Sequence, residues 1–162
     1  MNFRPLAQYD WKAFKELRLT ALLQYPEAFG SSLEEESNLT DEEFQQKFNN
    51  CDLFGAFINN ELVGCAGFFI CSSEKMAHRG CLFSMYTKDT HRNRGTADAL
   101  IKTIITHAKQ RVIQLHLTVV TTNYAAIRLY QKNGFTIYGT EPRSLKIDDR
   151  FYDEHLMILE FL

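Results

Sequence analysis

The chain has 162 residues, of which 45% are hydrophobic and 13% aromatic, so it is long enough for a single compact domain with its own core. Its formal net charge is -2 and its basic residues are scattered, which argues against a nucleic-acid or membrane partner. Neither an export signal nor a membrane-spanning run of apolar residues is visible, so we expect a cytoplasmic protein.

The first third of the chain is predicted to be helical after a short opening strand at residues 2–5. Apolar residues recur at helical spacing from Asp10, a predicted N-cap, as far as Pro26. A second helix begins at Thr40, where the sequence T-D-E-E has the form of a capping box. The acidic segment 31–38 between the two helices is predicted to be a mobile connection.

The middle of the chain changes to strand-like patterning. Residues 53–58 and 62–71 form two apolar runs joined by Asn59-Asn60, a pair that favours a tight hairpin. Residues 81–87 are predicted to be a third strand of this antiparallel block. From Gly95 onward the apolar residues fall on one face of a helix, which must therefore lie on a sheet.

The last third alternates between the two patterns. We predict a strand at 114–120, a helix at 124–132 that ends at Asn133-Gly134, and a strand at 135–138. A polar excursion then precedes a final strand at about 154–161.

The predicted order of elements is that of an α+β domain covering residues 1–162. We expect a mostly antiparallel central sheet of about six or seven strands, flanked by about four helices. The strand–helix–strand unit over residues 81–120 supplies one parallel pair, and its crossover is expected to be right-handed.

The loop that leads into the helix at Gly95 is a candidate anion site. The first amides of a helix have no internal partner, and the helix dipole places about half a positive charge there. Gly95 lets the backbone approach an anion closely, while Arg92 and Arg94 add charged donors. By itself this pattern leaves open an ordinary connection between a strand and a helix.

Two motifs resemble those of the GCN5-related N-acetyltransferase (GNAT) superfamily. The run R-N-R-G-T-A at 92–97 is similar to its [Q/R]-x-x-G-x-[G/A] motif, although Thr96 stands where an aliphatic residue is usual. The run N-Y-A-A-I-R-L-Y-Q-K-N-G-F at 123–135 is similar to its N-x-x-A-x-x-L-Y-x-x-x-G-F element. The segment P-E-A-F-G-S-S at 26–32 also resembles the one after the first helix in a subgroup of small members. The resemblance implies a GNAT-type sheet whose parallel pair splays apart at the cofactor site.

The resemblance also implies a function and a set of site residues. The protein would be an N-acetyltransferase that uses acetyl-CoA as cosubstrate and needs no metal. Asn123 would hydrogen-bond the cofactor, and Tyr130 would face the thioester sulfur. The backbone of three residues would pair with the pantetheine arm: Met85, Tyr86 and Thr87. The pyrophosphate would be held within one run of residues: Arg92, Asn93, Arg94, Gly95, Thr96, Ala97 and Asp98.

The reaction makes two unequal demands on proton transfer. A thioester is already activated, so direct attack by a positioned amine suffices. Removing a proton from an amine of pKa about 10.4 costs ~4.6 kcal/mol at pH 7, whereas a thiolate of pKa about 8.5 needs ~2 kcal/mol of help. Tyr130 suits the smaller task, as an acid. Many members carry a glutamate base on the fifth strand, where this chain has Thr118.

His116 is the candidate base because it lies two residues before Thr118 and therefore on the same face of the strand. A structural histidine in an apolar strand is the alternative. Glu154 and His155 are further candidates, with a polar strand entry as their alternative.

Two other functions remain open at this stage. One is a non-catalytic acetyl-CoA-binding module of the same fold. The other is a dinucleotide-binding oxidoreductase, which is disfavoured because the glycine loop follows three antiparallel strands and lacks a complete G-x-G-x-x-G. The acceptor would be a small-molecule or peptide amine bound by loops around 24–40 and 138–153. The resemblance also makes a homodimer an open expectation.

Overall fold

The structure, a computed structural model, describes all residues from 1 to 162. Its regular elements are, in chain order, β1 (Asn2–Pro5), α1 (Trp11–Gln24), α2 (Leu33–Ser37), α3 (Asp41–Asn49), β2 (Asp52–Ile58), β3 (Glu61–Ile70), β4 (Arg79–Thr87), α4 (Thr96–Ala108), β5 (Gln114–Val120), α5 (Tyr124–Lys132), β6 (Thr136–Ile147) and β7 (Arg150–Glu160). No helix is long and apolar enough to cross a membrane.

The seven strands form one sheet in the order β1-β2-β3-β4-β5-β7-β6. All neighbours are antiparallel except β4 and β5, which are parallel and are connected through α4. The predicted α+β class and its single parallel pair are therefore confirmed. Asn59 and Asn60 both adopt positive φ, at 48° and 66°, as the tight turn between β2 and β3 requires.

Helices cover both faces of the sheet and divide the core in two. On one face α4 and α5 pack on the middle strands, and Leu100, Ile104, Leu115 and Met157 are fully buried there. On the other face α1 and α3 form an aromatic-rich cluster over β2, β3 and β4. Because successive strand residues point to opposite faces, each face carries its own set of side chains.

One prediction about the front of the chain is wrong, and a second holds only in part. The segment 31–38 contains α2, because Ser32 and Glu35 form a capping box with N···O distances of 3.0 and 2.9 Å. Asp10 occupies the N-cap position of α1, as predicted, but its side chain does not cap the helix. Its carboxylate instead accepts hydrogen bonds from Arg4, at 2.6 Å, and from the backbone N–H of Ala7, at 2.7 Å.

The predicted polar excursion at 138–153 is a long β-hairpin. β6 runs to Ile147, and β7 begins at Arg150, so their pairing extends well beyond the end of β5. Register shifts after Ile137 and Glu141 interrupt the ladder. Most side chains of β6 are exposed on both faces, so the strand has no regular apolar alternation that the sequence could reveal.

Candidate functional site

The central feature of the site is a cleft where β4 and β5 separate. Only three positions of the two strands pair, from Arg79 with Gln114 to Cys81 with His116. Beyond them, β4 continues to Thr87 and β5 continues to Val120 without contacting each other as a ladder. The β5-facing edge of β4 is therefore free to accept another extended chain.

A bulge in β4 lies at the start of this cleft. Across the β3 ladder Gly67 pairs with Phe83 and Cys65 pairs with Tyr86, so two residues of β4, Ser84 and Met85, oppose one residue of β3. Ser84 has φ of 55°, in the left-handed region that a non-glycine residue adopts only at some cost. A bulge increases strand twist, and here it coincides with the divergence of β4 from β5.

The loop before α4 presents a row of unused backbone donors. The amides of residues 93–98 donate no backbone hydrogen bond, whereas Ala99 N–H donates to Gly95 O at 3.0 Å. Asn93 and Gly95 both have positive φ, at 58° and 78°. Alternating handedness of this kind turns successive N–H groups toward one point, which makes a concavity suited to an anion. A Cβ built on Gly95 would meet no atom within 4 Å, so the space beside this residue is open.

The side chain of Arg92 is tied to its surroundings. Its Nε lies 3.2 Å from Thr87 O and 3.0 Å from a carboxylate oxygen of Asp89. Its guanidinium lies 4.4 Å from the centre of the Tyr25 ring, and the Tyr25 hydroxyl donates to Asp89 at 2.7 Å. Arg92 thus connects the end of β4 with the end of α1. No local pattern in the sequence predicts this contact, because Tyr25 lies far from Asp89 along the chain.

Two other residues of the run predicted to hold the pyrophosphate, Thr96 and Asp98, form side-chain hydrogen bonds within the protein. The Thr96 hydroxyl is buried and donates to His91 O at 3.3 Å, which explains why a polar residue is tolerated there. The Asp98 carboxylate accepts from Lys102 at 2.7 Å and from Asn133 at 2.9 Å. These hydrogen bonds lower the pKa of Asp98 to about 2 and join the start of α4 to the end of α5.

Asn123 and Tyr130 occupy the first and last turns of α5. The amide oxygen of Asn123 accepts from Ala126 N–H at 3.3 Å and caps the helix, which leaves its NH2 group as a donor. Tyr130 is 7% exposed and its ring packs edge-on against Phe135, with centroids 5.8 Å apart. Its hydroxyl makes no hydrogen bond within the chain, and burial raises the pKa of the phenol, so it is protonated at neutral pH.

His116 lies at the closed end of the cleft and on the other face of β5 from Tyr130. Leu115 and Leu117 belong to the core that contains Tyr130, so the alternation of the strand turns His116 away from it. The His116 Nδ1 atom lies 3.3 Å from the Tyr138 hydroxyl, and its Nε2 atom is buried without a partner. Burial, with a smaller effect of nearby Arg79, lowers the pKa of His116.

The other candidate acid–base groups have local partners. Glu154 accepts a hydrogen bond from the Ser144 hydroxyl at 2.6 Å, and His155 Nδ1 lies 2.8 Å from the Thr140 hydroxyl. Thr118 is exposed. The structure contains no cluster of three or more histidine, cysteine or acidic residues with the arrangement of a metal site.

Comparison with known proteins identifies the family. The sequence model of the Acetyltransferase (GNAT) family matches residues 12–135. A search of functionally curated proteins finds no match.

Solved structures agree with this result. A GNAT-family acetyltransferase from Streptococcus pneumoniae is 28% identical over 98% of both chains, with a TM-score of 0.82. A ribosomal-protein-alanine N-acetyltransferase from Brucella melitensis is 20% identical over 99% of both chains, with a TM-score of 0.84. A Salmonella typhimurium protein solved with its cofactor acetyl-CoA has the same TM-score of 0.84 at 20% identity, over 99% of this chain and 94% of the other. The matched domain, the parallel pair and the open cleft together establish that the chain belongs to the GNAT family of acetyltransferases.

Proposed function

We propose that residues 1–162 form one N-acetyltransferase domain that moves an acetyl group from acetyl-CoA to a primary amine. The observation that carries this proposal is the continuity between a free strand edge at Met85–Thr87 and the row of unused amides at 93–98. The strand edge suits an extended, amide-containing arm, and the row of amides suits a diphosphate. Few other ligands combine an extended, amide-containing arm with a diphosphate.

The residues present fit acetyl-CoA at each end. The backbone of Met85, Tyr86 and Thr87 would pair with the pantetheine arm, because the β5-facing side of β4 is unpaired there. The amides around Gly95 would hold the pyrophosphate, helped by the exposed Arg94. The NH2 group of Asn123 would donate to the cofactor between these points. Acetyl-CoA supplies an activated thioester, so the protein needs no nucleophile of its own.

Tyr130 is proposed as the acid that protonates the leaving thiolate. Its phenol is protonated at neutral pH and its hydroxyl has no partner in the chain, so the proton is available to a ligand. The group lies in a buried position where a hydrogen bond to a developing negative charge is strong. Tyr130 would thereby meet the smaller of the two proton-transfer requirements of the reaction, protonation of the leaving thiolate.

His116 is proposed as the base that receives the proton of the amine. Its lowered pKa keeps it neutral at pH 7, and the buried Nε2 is free to accept a proton directly or through a water molecule. Because it points to the face of α1, we propose that the amine enters from that side, past the segment Pro26–Ala28, which packs over β5 and β6.

The acceptor class is proposed to be a small-molecule or peptide amine. The Brucella protein is a ribosomal-protein-alanine N-acetyltransferase by name, which supports a peptide amine as one of the acceptors to test. We also propose a cytoplasmic protein that can form a homodimer, as the family resemblance implies.

The test is a screen of amines with detection of the released thiol, run with the wild-type protein and with Tyr130→Phe. We expect a hundredfold or so lower kcat for Tyr130→Phe, in line with the contribution of about 10²- to 10⁴-fold by a positioned acid. The affinity for acetyl-CoA should be unchanged, because phenylalanine keeps the ring that packs on Phe135. Binding of acetyl-CoA without turnover of any amine would instead favour a non-catalytic module.

A further inference from the structure

A buried ion pair outside the cofactor cleft contacts the bulge that opens the cleft. Arg18 of α1 and Glu36 of α2 are both nearly inaccessible, with side chains 11% and 9% exposed. The Arg18 Nε and Nη2 atoms donate to the Glu36 carboxylate at 2.9 to 3.2 Å. The remaining Nη1 atom donates to the Ser84 hydroxyl at 3.1 Å. The Phe29 ring lies 4.8 Å from the guanidinium on another side.

This pair is not explained by stability. Removing two charges from water is costly, and well-packed apolar residues often serve as well or better in such positions. A buried ion pair is therefore weak evidence for a role in stability. Here it orients the guanidinium, and the guanidinium holds one residue of β4.

That residue has a backbone conformation that needs support. Ser84 has φ of 55°, and serine has no intrinsic preference for the left-handed region. Two of its polar groups are bound from the α1 side of the sheet: its hydroxyl by Arg18, and its carbonyl oxygen by the Cys65 thiol at 3.3 Å. The contacts hold the bulge, and Met85, the next residue, lies on the stretch of β4 whose β5-facing edge is unpaired.

We propose that Arg18, held by Glu36, is a positioning residue that keeps Ser84 in its left-handed conformation and so presents the Met85 backbone to the acyl group of acetyl-CoA. This inference rests on the proposed function of the cleft. The phosphate cradle at 93–98 lies on a different element and makes no contact with the ion pair. Loss of the Arg18 contact should therefore affect the acyl end of the ligand more than the nucleotide end.

The test is calorimetric titration of acetyl-CoA and of CoA, which differ only in the acetyl group. The informative quantity is the ratio of the two dissociation constants, because general loosening of the fold would weaken both ligands together. For Ser84→Ala we expect about a tenfold increase in the acetyl-CoA dissociation constant, the value of one hydrogen bond to a charged group, with less than about a twofold change for CoA.

A second variant removes the ion pair without leaving a lone buried charge. Arg18→Met combined with Glu36→Leu should change the ratio by about the same tenfold factor as Ser84→Ala. Adding Ser84→Gly to this double variant should restore most of the ratio, because glycine adopts positive φ without help from a partner. Restoration by glycine would show that Arg18 acts through the backbone at position 84.

The matched control is Asp10→Asn, which breaks another ion pair, that of the buried Asp10 with the partly exposed Arg4 at 2.6 Å; Arg4 lies on β1, which β2 and β3 separate from β4 in the sheet. It should lower the melting temperature but leave the ratio unchanged. The proposal is overturned if the folded Ser84→Ala protein keeps the wild-type ratio, or if Asp10→Asn changes the ratio equally. If wild-type protein binds neither ligand, the proposed function itself fails, which is a different outcome from binding with an unaltered ratio.

Discussion

His116 combines an unpaired buried nitrogen with a position at the closed end of the cleft. Burial lowers its pKa below 6.5, so the unfolded chain takes up a proton at a pH where the folded chain does not. The free energy of unfolding must therefore fall as the pH drops below about 6.5, until the folded pKa is passed. In the variant His116→Gln, the free energy of unfolding should lack the part of this decrease that comes from protonation of His116. Urea titrations of both proteins from about pH 7.5 to about pH 5 measure the difference, and parallel curves would contradict it.

The side chain of Asp98 stabilises the fold, while its amide belongs to the proposed phosphate cradle. Its lowered pKa, about 2, means that the charged carboxylate stabilises the folded state above the usual value of 3.8. This contribution is lost as the pH falls toward 2. Asp98→Asn should lower the free energy of unfolding by about 1 kcal/mol at pH 7, a discounted value for a group at the surface. Denaturant titrations at neutral and acidic pH should show the deficit shrinking below about pH 4.

The sequence predicted where the candidate site residues lie on their elements better than it predicted their contacts. Gly95, Asn123 and Tyr130 lie at helix ends that short-range patterns mark clearly. The partners of Arg92 were not predicted, because an aromatic ring and a carboxylate on separate elements leave no local pattern. The same is true of Arg18, whose partners Glu36 and Ser84 are distant in sequence.

Among the elements, the loop that opens α4 offers the clearest test of anion binding. Gly95 has positive φ and open space around its Cα, so a side chain there would project into the proposed phosphate cradle. Asparagine and aspartate have the same shape and both tolerate the left-handed conformation, so the pair isolates the effect of charge. We expect Gly95→Asp to bind CoA at least about tenfold more weakly than Gly95→Asn. Equal affinities by calorimetric titration would show that no anion lies there.

The elements that the sequence revealed are those with one buried face. β5 and α5 have the predicted bounds because their apolar residues repeat at periods of two and 3.6. The β6–β7 hairpin was missed because β6 is exposed along most of its length, and its strand character depends on pairing with β7. α2 is only five residues long, so its capping box was the single available signal.

On the scale of the whole molecule, the parallel unit follows from the order of elements in the sequence, whereas the cleft was expected only from the family resemblance. Alternating strands and helices dictate that β4, α4 and β5 form a parallel unit. Nothing in either strand encodes that pairing stops after Cys81 and His116. Two features that arise only in the folded sheet accompany that limit: the bulge at Ser84 in β4 and the full antiparallel pairing of β5 with β7.

A ligand that binds in the cleft between β4 and β5 should raise the stability of the entire chain. A ligand present at about 100 times its dissociation constant adds about 2.7 kcal/mol to the free energy of unfolding. For a chain of this size we expect CoA to raise the melting temperature by about 5 to 10 °C. NAD at the same concentration should have no such effect, because it has no arm that could extend β4 into the cleft. Gly95→Asp should melt near the wild-type temperature without ligand and gain little from CoA, whereas equal stabilisation by NAD would point to a dinucleotide site.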